Sequence, residues 1–174
     1  RGAGSNVSFS SAGGTHMRMN NLRTLQISGS SVVLGDTQDN VYFRTMGDLK
    51  MVIVPSGNVG IGTGLDPVRS RLEVNGAVTN TTAFNAGAGT TIDFSRSNLA
   101  YTTASPGAFI LNNIKDGGTY TLAVRGTTAG TAGFSATGFT FKSHNNGVTV
   151  AGLETLYTFT VMGTTVYYYM TTGL

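Results

Sequence analysis

The heptapeptide Gly57-Asn58-Val59-Gly60-Ile61-Gly62-Thr63 decides how the fold of this chain is interpreted. Glycines at this density are typical either of a loop that cradles a phosphate or of a strand face without side chains. A dinucleotide loop needs a third glycine where Leu65 stands, and a helix must follow it. Here the alternation of Leu72-Glu73-Val74 predicts a strand, and no Gly-Lys-Ser/Thr occurs. The stretch therefore predicts a structural joint without a nucleotide.

The alternation within the heptapeptide gives the joint a physical explanation. Val59 and Ile61 place apolar side chains on one face of a strand, whereas Gly60 and Gly62 leave the other face bare. A bare face lets another backbone approach closely. We expect the apolar pair to be buried, and the glycine side to accommodate neighbouring chains that crowd a common axis.

The composition predicts an all-β chain. Among 174 residues there are 25 Gly and 27 Thr, only 11% are charged, and no stretch has the spacing of an amphipathic helix. The chain has no cysteine, which excludes disulfides and thiol catalysis. Its first residues read as mid-protein sequence, so we expect a C-terminal fragment of a longer protein.

Charge and hydropathy limit the classes of partner that the sequence predicts. The net charge is +3, and the Lys and Arg residues are scattered along the sequence without forming a basic stripe. We therefore expect no nucleic-acid partner. No apolar run approaches the roughly 20 residues of a membrane helix, so we expect no membrane insertion.

The sequence of residues 1–76 predicts a ladder of very short strands. Apolar pairs alternate and turns recur after each pair; the runs are Leu25/Ile27, Val32/Leu34, Val41/Phe43 and Leu49/Met51/Ile53. Such a segment buries too little apolar surface to offset its ordering entropy alone. Packing against copies of itself around a symmetry axis solves this, and a three-fold, intertwined β shaft is one form of that solution.

The sequence of residues 77–174 predicts a separate second domain, since a small, polar, Gly/Ala-rich stretch precedes longer and more apolar strands. About eight strands with frequent turns are typical of a β-sandwich, here a jelly-roll-like one. Tyr157, Phe159 and Val161 share one face of their strand. The predicted strands are Thr91–Phe94, Leu99–Thr102, Ala108–Leu111, Thr119–Val124, Gly138–Lys142, Gly147–Val150, Leu156–Met162 and Val166–Met170.

The joint and its surroundings resemble a recurring segment of bacteriophage tail fibres and related trimeric adhesive fibres, including the mosaic adhesive trimer proteins of predatory bacteria. The match runs from Met51 to Gly76 and departs in Gly64 and in a slightly longer link before Leu72. The resemblance implies a homotrimer at a fibre end whose tip binds a cell-surface receptor, often a glycan, outside the cell. The joint residues are Gly57, Asn58, Gly60, Gly62 and Pro67.

Receptor contacts are expected at polar loops and exposed aromatic rings of the tip, because a sugar's C–H face stacks on such rings. In the Tyr167-Tyr168-Tyr169 run, the middle ring points to the opposite face from its neighbours. An alternative interpretation is that the tyrosines pack in the core or between chains and contact no ligand. The predicted ligand-binding set is Tyr101, Asn112, Asn113, Lys115, Asp116, Lys142, His144 and Asn145.

Catalysis, cofactors and metals are not expected. The tip acids Asp93, Asp116 and Glu154 lie in three different segments, and no Ser-His-Asp arrangement can be assigned. Asp36 and Asp39 fit a solvated turn better than a calcium site. His16 fits packing better than a metal ion on a three-fold axis. Two alternatives to an adhesin stay open, a purely structural trimerisation cap and a polysaccharide-degrading tip.

Overall fold

The computed structural model describes residues 40–46 and 48–174, so the predictions for residues 1–39, including the strands before Val41, His16 and the Asp36/Asp39 turn, lie outside it. Within the described residues all regular structure is β, with thirteen strands and no helix. The all-β prediction is therefore confirmed for this part of the chain. The strands belong to two compact units, which adjoin in sequence at Gly76 and Ala77.

The first unit is a four-stranded sheet in the order β1-β2-β3-β4. The first three strands are paired antiparallel, and β3 pairs parallel with β4. The parallel pair needs the crossover formed by residues 62–71, because parallel neighbours cannot be joined by a tight hairpin. The strands are β1 (Val41–Thr45), β2 (Asp48–Ile53), β3 (Val59–Ile61) and β4 (Leu72–Val74).

The glycine side of β3 is closed by the chain itself. Gly60 is buried, and a Cβ placed on it would overlap with Thr63 Oγ1 and lie 2.8 Å from Val68 Cγ2. The Asn58 side chain holds the crossover in place by donating from Nδ2 to the Val68 carbonyl at 3.1 Å. Ile61, by contrast, is 42% exposed. This corrects the prediction for Gly60, because the bare face receives side chains of its own chain. The apolar pair lies on the open side of the sheet in the single chain.

Two further joint glycines set the turns on either side of β3. Gly57 and Gly62 have φ values of 79° and 69°, a region that residues with a Cβ adopt at a cost. Gly57 closes the turn after Val54 through an N–H···O bond of 2.8 Å. Pro67 is exposed within the crossover. The heptapeptide thus folds as turn, strand and turn.

Replacing Gly60 by alanine tests this account. The new Cβ meets three β-branched side chains with little rotamer freedom, those of Thr63, Val68 and Val52. We therefore expect the crossover to open more readily, at a cost of about 1–2 kcal/mol. Limited trypsin cleavage at Arg69 and Arg71 of the folded chain measures this opening, and the rate should rise by roughly tenfold. The variant Gly133→Ala, whose added Cβ meets nothing within 4 Å, should leave the rate unchanged. Equal rates for Gly60→Ala and the wild type would contradict the proposed packing.

The second unit contains nine strands in two sheets. The six-stranded sheet has the order β11-β13-β12-β9-β7-β5, and the three-stranded sheet has the order β10-β8-β6. The strands are β5 (Phe84–Asn85), β6 (Thr91–Asp93), β7 (Leu99–Thr102), β8 (Ala108–Asn112), β9 (Thr119–Val124), β10 (Gly133–Ser135), β11 (Thr140–His144), β12 (Thr155–Met162) and β13 (Thr165–Thr172).

The chain winds through these sheets in a β-solenoid-like manner. From β5 to β11 successive strands alternate between the two sheets, and β5, β7 and β9 are parallel neighbours, as are β6, β8 and β10. The hairpin of β12 and β13 then occupies the place beside β9, so that β11 pairs with β13 instead. Its two-residue loop has Gly163 first, at a φ of 60°, as a tight hairpin requires.

This connectivity corrects parts of the prediction. A jelly roll is built of antiparallel strands, whereas only the β12–β13 and β9–β12 pairs of this unit are antiparallel. The predicted strand at Gly147–Val150 is not formed. Seven of the eight predicted strands correspond to observed ones, with ends shifted by up to two residues.

Side chains from both sheets share one core. Ile92, Phe109 and Leu111 come from the three-stranded sheet, and Leu122 and Phe159 from the six-stranded one; all are at most 1% exposed. The predicted alternation of β12 is confirmed, because Tyr157, Phe159 and Val161 are fully buried. The Tyr157 hydroxyl is buried without a hydrogen-bond partner in the described part of the chain. Burial, and secondarily Tyr168, raises the pKa of Tyr157 to about 12.

Candidate functional site

The outward side of the six-stranded sheet presents two tyrosines beside two basic residues. In the paired strands, Tyr167 of β13 lies between Lys142 of β11 and Thr160 of β12, and in the next row Tyr169 lies between His144 and Thr158. We call these six residues the tyrosine face. The period of two along each strand places them together, while Tyr168 turns inward and is 8% exposed.

The tyrosine face is open to solvent. Tyr167 and Tyr169 are 46% and 54% exposed, and the surface around them forms a shallow groove of about 570 Å³. Lys142 and His144 are exposed, and among the described residues no hydrogen bond or ion pair engages the side chains of Lys142, His144, Tyr167 and Tyr169. The groove therefore offers two ring surfaces, two phenol hydroxyls and two nitrogen donors to a ligand.

The six strands of this sheet carry basic side chains but no acidic ones. None of its six strands carries an aspartate or a glutamate, and its basic side chains, Lys142 and His144, both lie on the edge strand β11. The acids of the unit are engaged elsewhere. Glu154 forms an ion pair with Arg125 at 2.9 Å, and Asp116 Oδ1 accepts the Gly163 N–H at 2.6 Å.

The structure brings together part of the ligand-binding set that the sequence predicts. Lys142 and His144 lie on the tyrosine face, and Asn145 follows directly with a φ of 58°. Tyr101 belongs to the same sheet, but three strands (β9, β12 and β13) lie between its strand β7 and β11. Its ring is covered by the Arg125 guanidinium, whose Cζ lies 4.4 Å from the ring centroid.

The other predicted contacts lie in structural hydrogen bonds that involve none of the six residues of this face. Asn113 Nδ2 donates to Asp93 Oδ1 at 2.6 Å, and the Ser95 N–H donates to the same oxygen at 3.0 Å. These bonds lower the pKa of Asp93, that from Asn113 most. The Lys115 N–H donates to the Tyr120 hydroxyl at 2.9 Å, Asn112 ends β8, and Asp116 supports the β12–β13 turn. The predicted set is therefore not one site.

Tyr167 and Tyr169 are absent from that set, although the sequence carries the signal that finds them. Alternation within the Tyr167–Tyr169 run predicts that the outer two share a face, and this is confirmed. Their neighbours on β11 could not be predicted, because the parallel pairing of β11 with β13 joins segments separated by the intervening β12.

The described residues show neither a metal cluster nor a membrane-spanning helix. Within residues 40–46 and 48–174, no group of three or more His, Asp or Glu side chains is placed to hold a metal ion. In the same residues no helix is long and apolar enough to cross a membrane.

The first unit carries a second unusual surface. On one side of its sheet, two rows of paired residues contain apolar side chains alone; they are Val41, Ile53, Val59 and Leu72 in one row and Phe43, Met51, Ile61 and Val74 in the next. We call these eight residues the apolar face. Phe43, Ile61 and Leu72 are 48%, 42% and 61% exposed, and the other five are half-buried. The opposite side has Val52 and Gly60 buried beneath Val68.

Comparison with known proteins gives no relative for this chain. No protein-family model, curated protein or solved structure matches it.

Proposed function

We propose that this chain is the distal part of a homotrimeric, tail-fibre-like adhesive protein that recognises a receptor on a bacterial surface, an envelope glycan. Residues 1–76 form an intertwined β shaft in this proposal, and residues 77–174 a tip whose two sheets serve as the layers of a β-sandwich. The fibre is extracellular or displayed on a surface, and it acts by multivalency, since three weak sites on one tip raise avidity.

The apolar face carries the assembly part of the proposal. Eight apolar side chains on four strands span roughly 14 Å across the sheet. Monomeric proteins rarely leave a contiguous patch of this kind in water, and patches of this kind mark interaction sites. Identical faces meet without charge repulsion because none of the eight residues is charged. Three copies, as the resemblance of residues 51–76 implies, would bury the face around a common axis.

The tyrosine face supports the receptor part. Exposed tyrosine rings give a sugar ring a rigid apolar surface, and their hydroxyls bond its polar rim. A purely structural trimerisation cap is the alternative, because it needs the apolar face alone. A polysaccharide-degrading tip needs two cooperating carboxylates, whereas the structure engages Asp93, Asp116 and Glu154 with three different partners.

Substitution of Leu72 by lysine tests the assembly. Leu72 lies at the end of a row in the apolar face and is 61% exposed in the single chain. In a trimer its burial contributes about 1–2 kcal/mol for each copy, and a buried lysine would reverse that gain. We expect light scattering to give the mass of three chains for the wild type and a lower mass for Leu72→Lys at micromolar concentration.

Leu65→Lys is the matched control. Leu65 is 79% exposed but lies in the crossover, outside the apolar face. This variant should keep the wild-type mass. A folded wild-type monomer, or equal masses for the two lysine variants, would contradict the proposed interface. A trimer that binds no envelope fraction and no glycan would favour the structural cap.

A further inference from the structure

We propose that the tyrosine face binds a carboxylated saccharide, such as a stretch of uronic acid residues, with sugar rings on Tyr167 and Tyr169 and carboxylates at Lys142 and His144. The proposal rests on the proposed receptor function and specifies its ligand class and its site. It uses the tyrosines that the sequence-predicted set leaves out.

The tyrosine face repeats along β13, so it can contact more than one sugar of a bound chain. Tyr167 and Tyr169 are two residues apart on one strand, so their rings lie roughly 7 Å from each other along it. Each ring is flanked on β12 by a threonine hydroxyl, from Thr160 or Thr158. The two rows therefore repeat the same arrangement of ring and hydroxyl and can contact successive parts of an extended saccharide.

The charge of the face selects an acidic polymer. Lys142 and His144 stand beside Tyr167 and Tyr169, on the neighbouring strand, and repeat at the same interval as the rings. No carboxylate of the six strands competes for them. An ammonium or imidazole N–H donor forms a stronger bond with a sugar carboxylate than with a neutral sugar hydroxyl, because the bond to the carboxylate is charge-assisted. A neutral glycan would leave Lys142 without that partner.

Calorimetric titration of the full chain tests the ligand class. The probes are an oligogalacturonate and a neutral malto-oligosaccharide of equal length, each at 20 and 500 mM NaCl. We expect the acidic probe to bind about tenfold more tightly at low salt, and most of this preference to disappear at high salt, because exposed charge pairs are weak and screened. Equal affinities for both probes would overturn the anionic class and leave a glycan receptor standing.

Single substitutions test whether the tyrosine face is the binding site. Lys142→Gln should reduce the preference for the acidic probe, whereas Lys50→Gln, a control at an exposed lysine outside the face, should not. Tyr169→Ala should weaken both probes by about tenfold or more, because it removes a ring surface. Tight acidic binding that survives both Lys142→Gln and Tyr169→Ala overturns the assignment of this face but not the receptor function. Binding of neither probe by an assembled trimer overturns the saccharide proposal, while the assembly is judged by its own mass measurement.

Discussion

Gly126→Ala is expected to destabilise the unit of residues 77–174 by about 3 kcal/mol. Gly126 is buried just after β9, and an added Cβ would overlap with the Ser105 backbone and lie 2.7 Å from the Ala104 carbonyl oxygen. These are backbone atoms, so a change of side-chain rotamer cannot relieve the contact, and the segments after β7 and β9 would have to separate. Denaturant unfolding followed by tyrosine fluorescence measures the effect, because six of the seven tyrosines belong to this unit.

Gly133→Ala is the matched control for this prediction. Gly133 opens β10, and its added Cβ would meet no atom within 4 Å. The same chemical change should therefore move the free energy of unfolding by less than about 1 kcal/mol. Equal losses in the two variants would show that the approach of the two segments is looser than the structure has it.

Phe134→Ala is expected to cost about 3 kcal/mol of unfolding free energy in the same unit. Phe134 of β10 contacts three rings of the six-stranded sheet, with centroids 4.8 Å from Tyr157, 4.9 Å from Phe159 and 5.1 Å from Tyr168. It also stacks on Phe109 at 5.8 Å. Removing the ring opens a cavity between the sheets and removes its edge-to-face contacts.

The comparison for Phe134→Ala is Tyr167→Ala. Tyr167 is another aromatic residue of this unit, but it is 46% exposed on the outward side, so its loss should change the stability by less than about 1 kcal/mol. Denaturant midpoints of the two variants provide the measurement. A midpoint for Phe134→Ala within error of the wild type would mean that this ring does not hold the sheets together.

Local patterns explain why most strands were predictable. The alternation of β12 and of the Tyr167–Tyr169 run is a property of the extended chain, whose side chains point to opposite faces in turn. Leu65 and the strand-like Leu72–Val74 were enough to exclude a dinucleotide loop, because that loop requires a particular residue and a following helix. Two of the shortest strands, β5 and β10, were not predicted, because their two and three residues carry no readable period of their own.

The sequence by itself determined the class of structure, the turn-rich rhythm and which side chains of a strand share a face. The tertiary structure alone decided which strands are neighbours. Alternation is the same for parallel and antiparallel pairs, so it could not distinguish the solenoid-like winding, with its inserted hairpin, from a jelly roll. For the same reason the sequence showed that Gly60 and Ile61 point to opposite sides of β3 but not which side is buried. Val68 decided that by packing onto Gly60, and the fold thereby left the apolar face open.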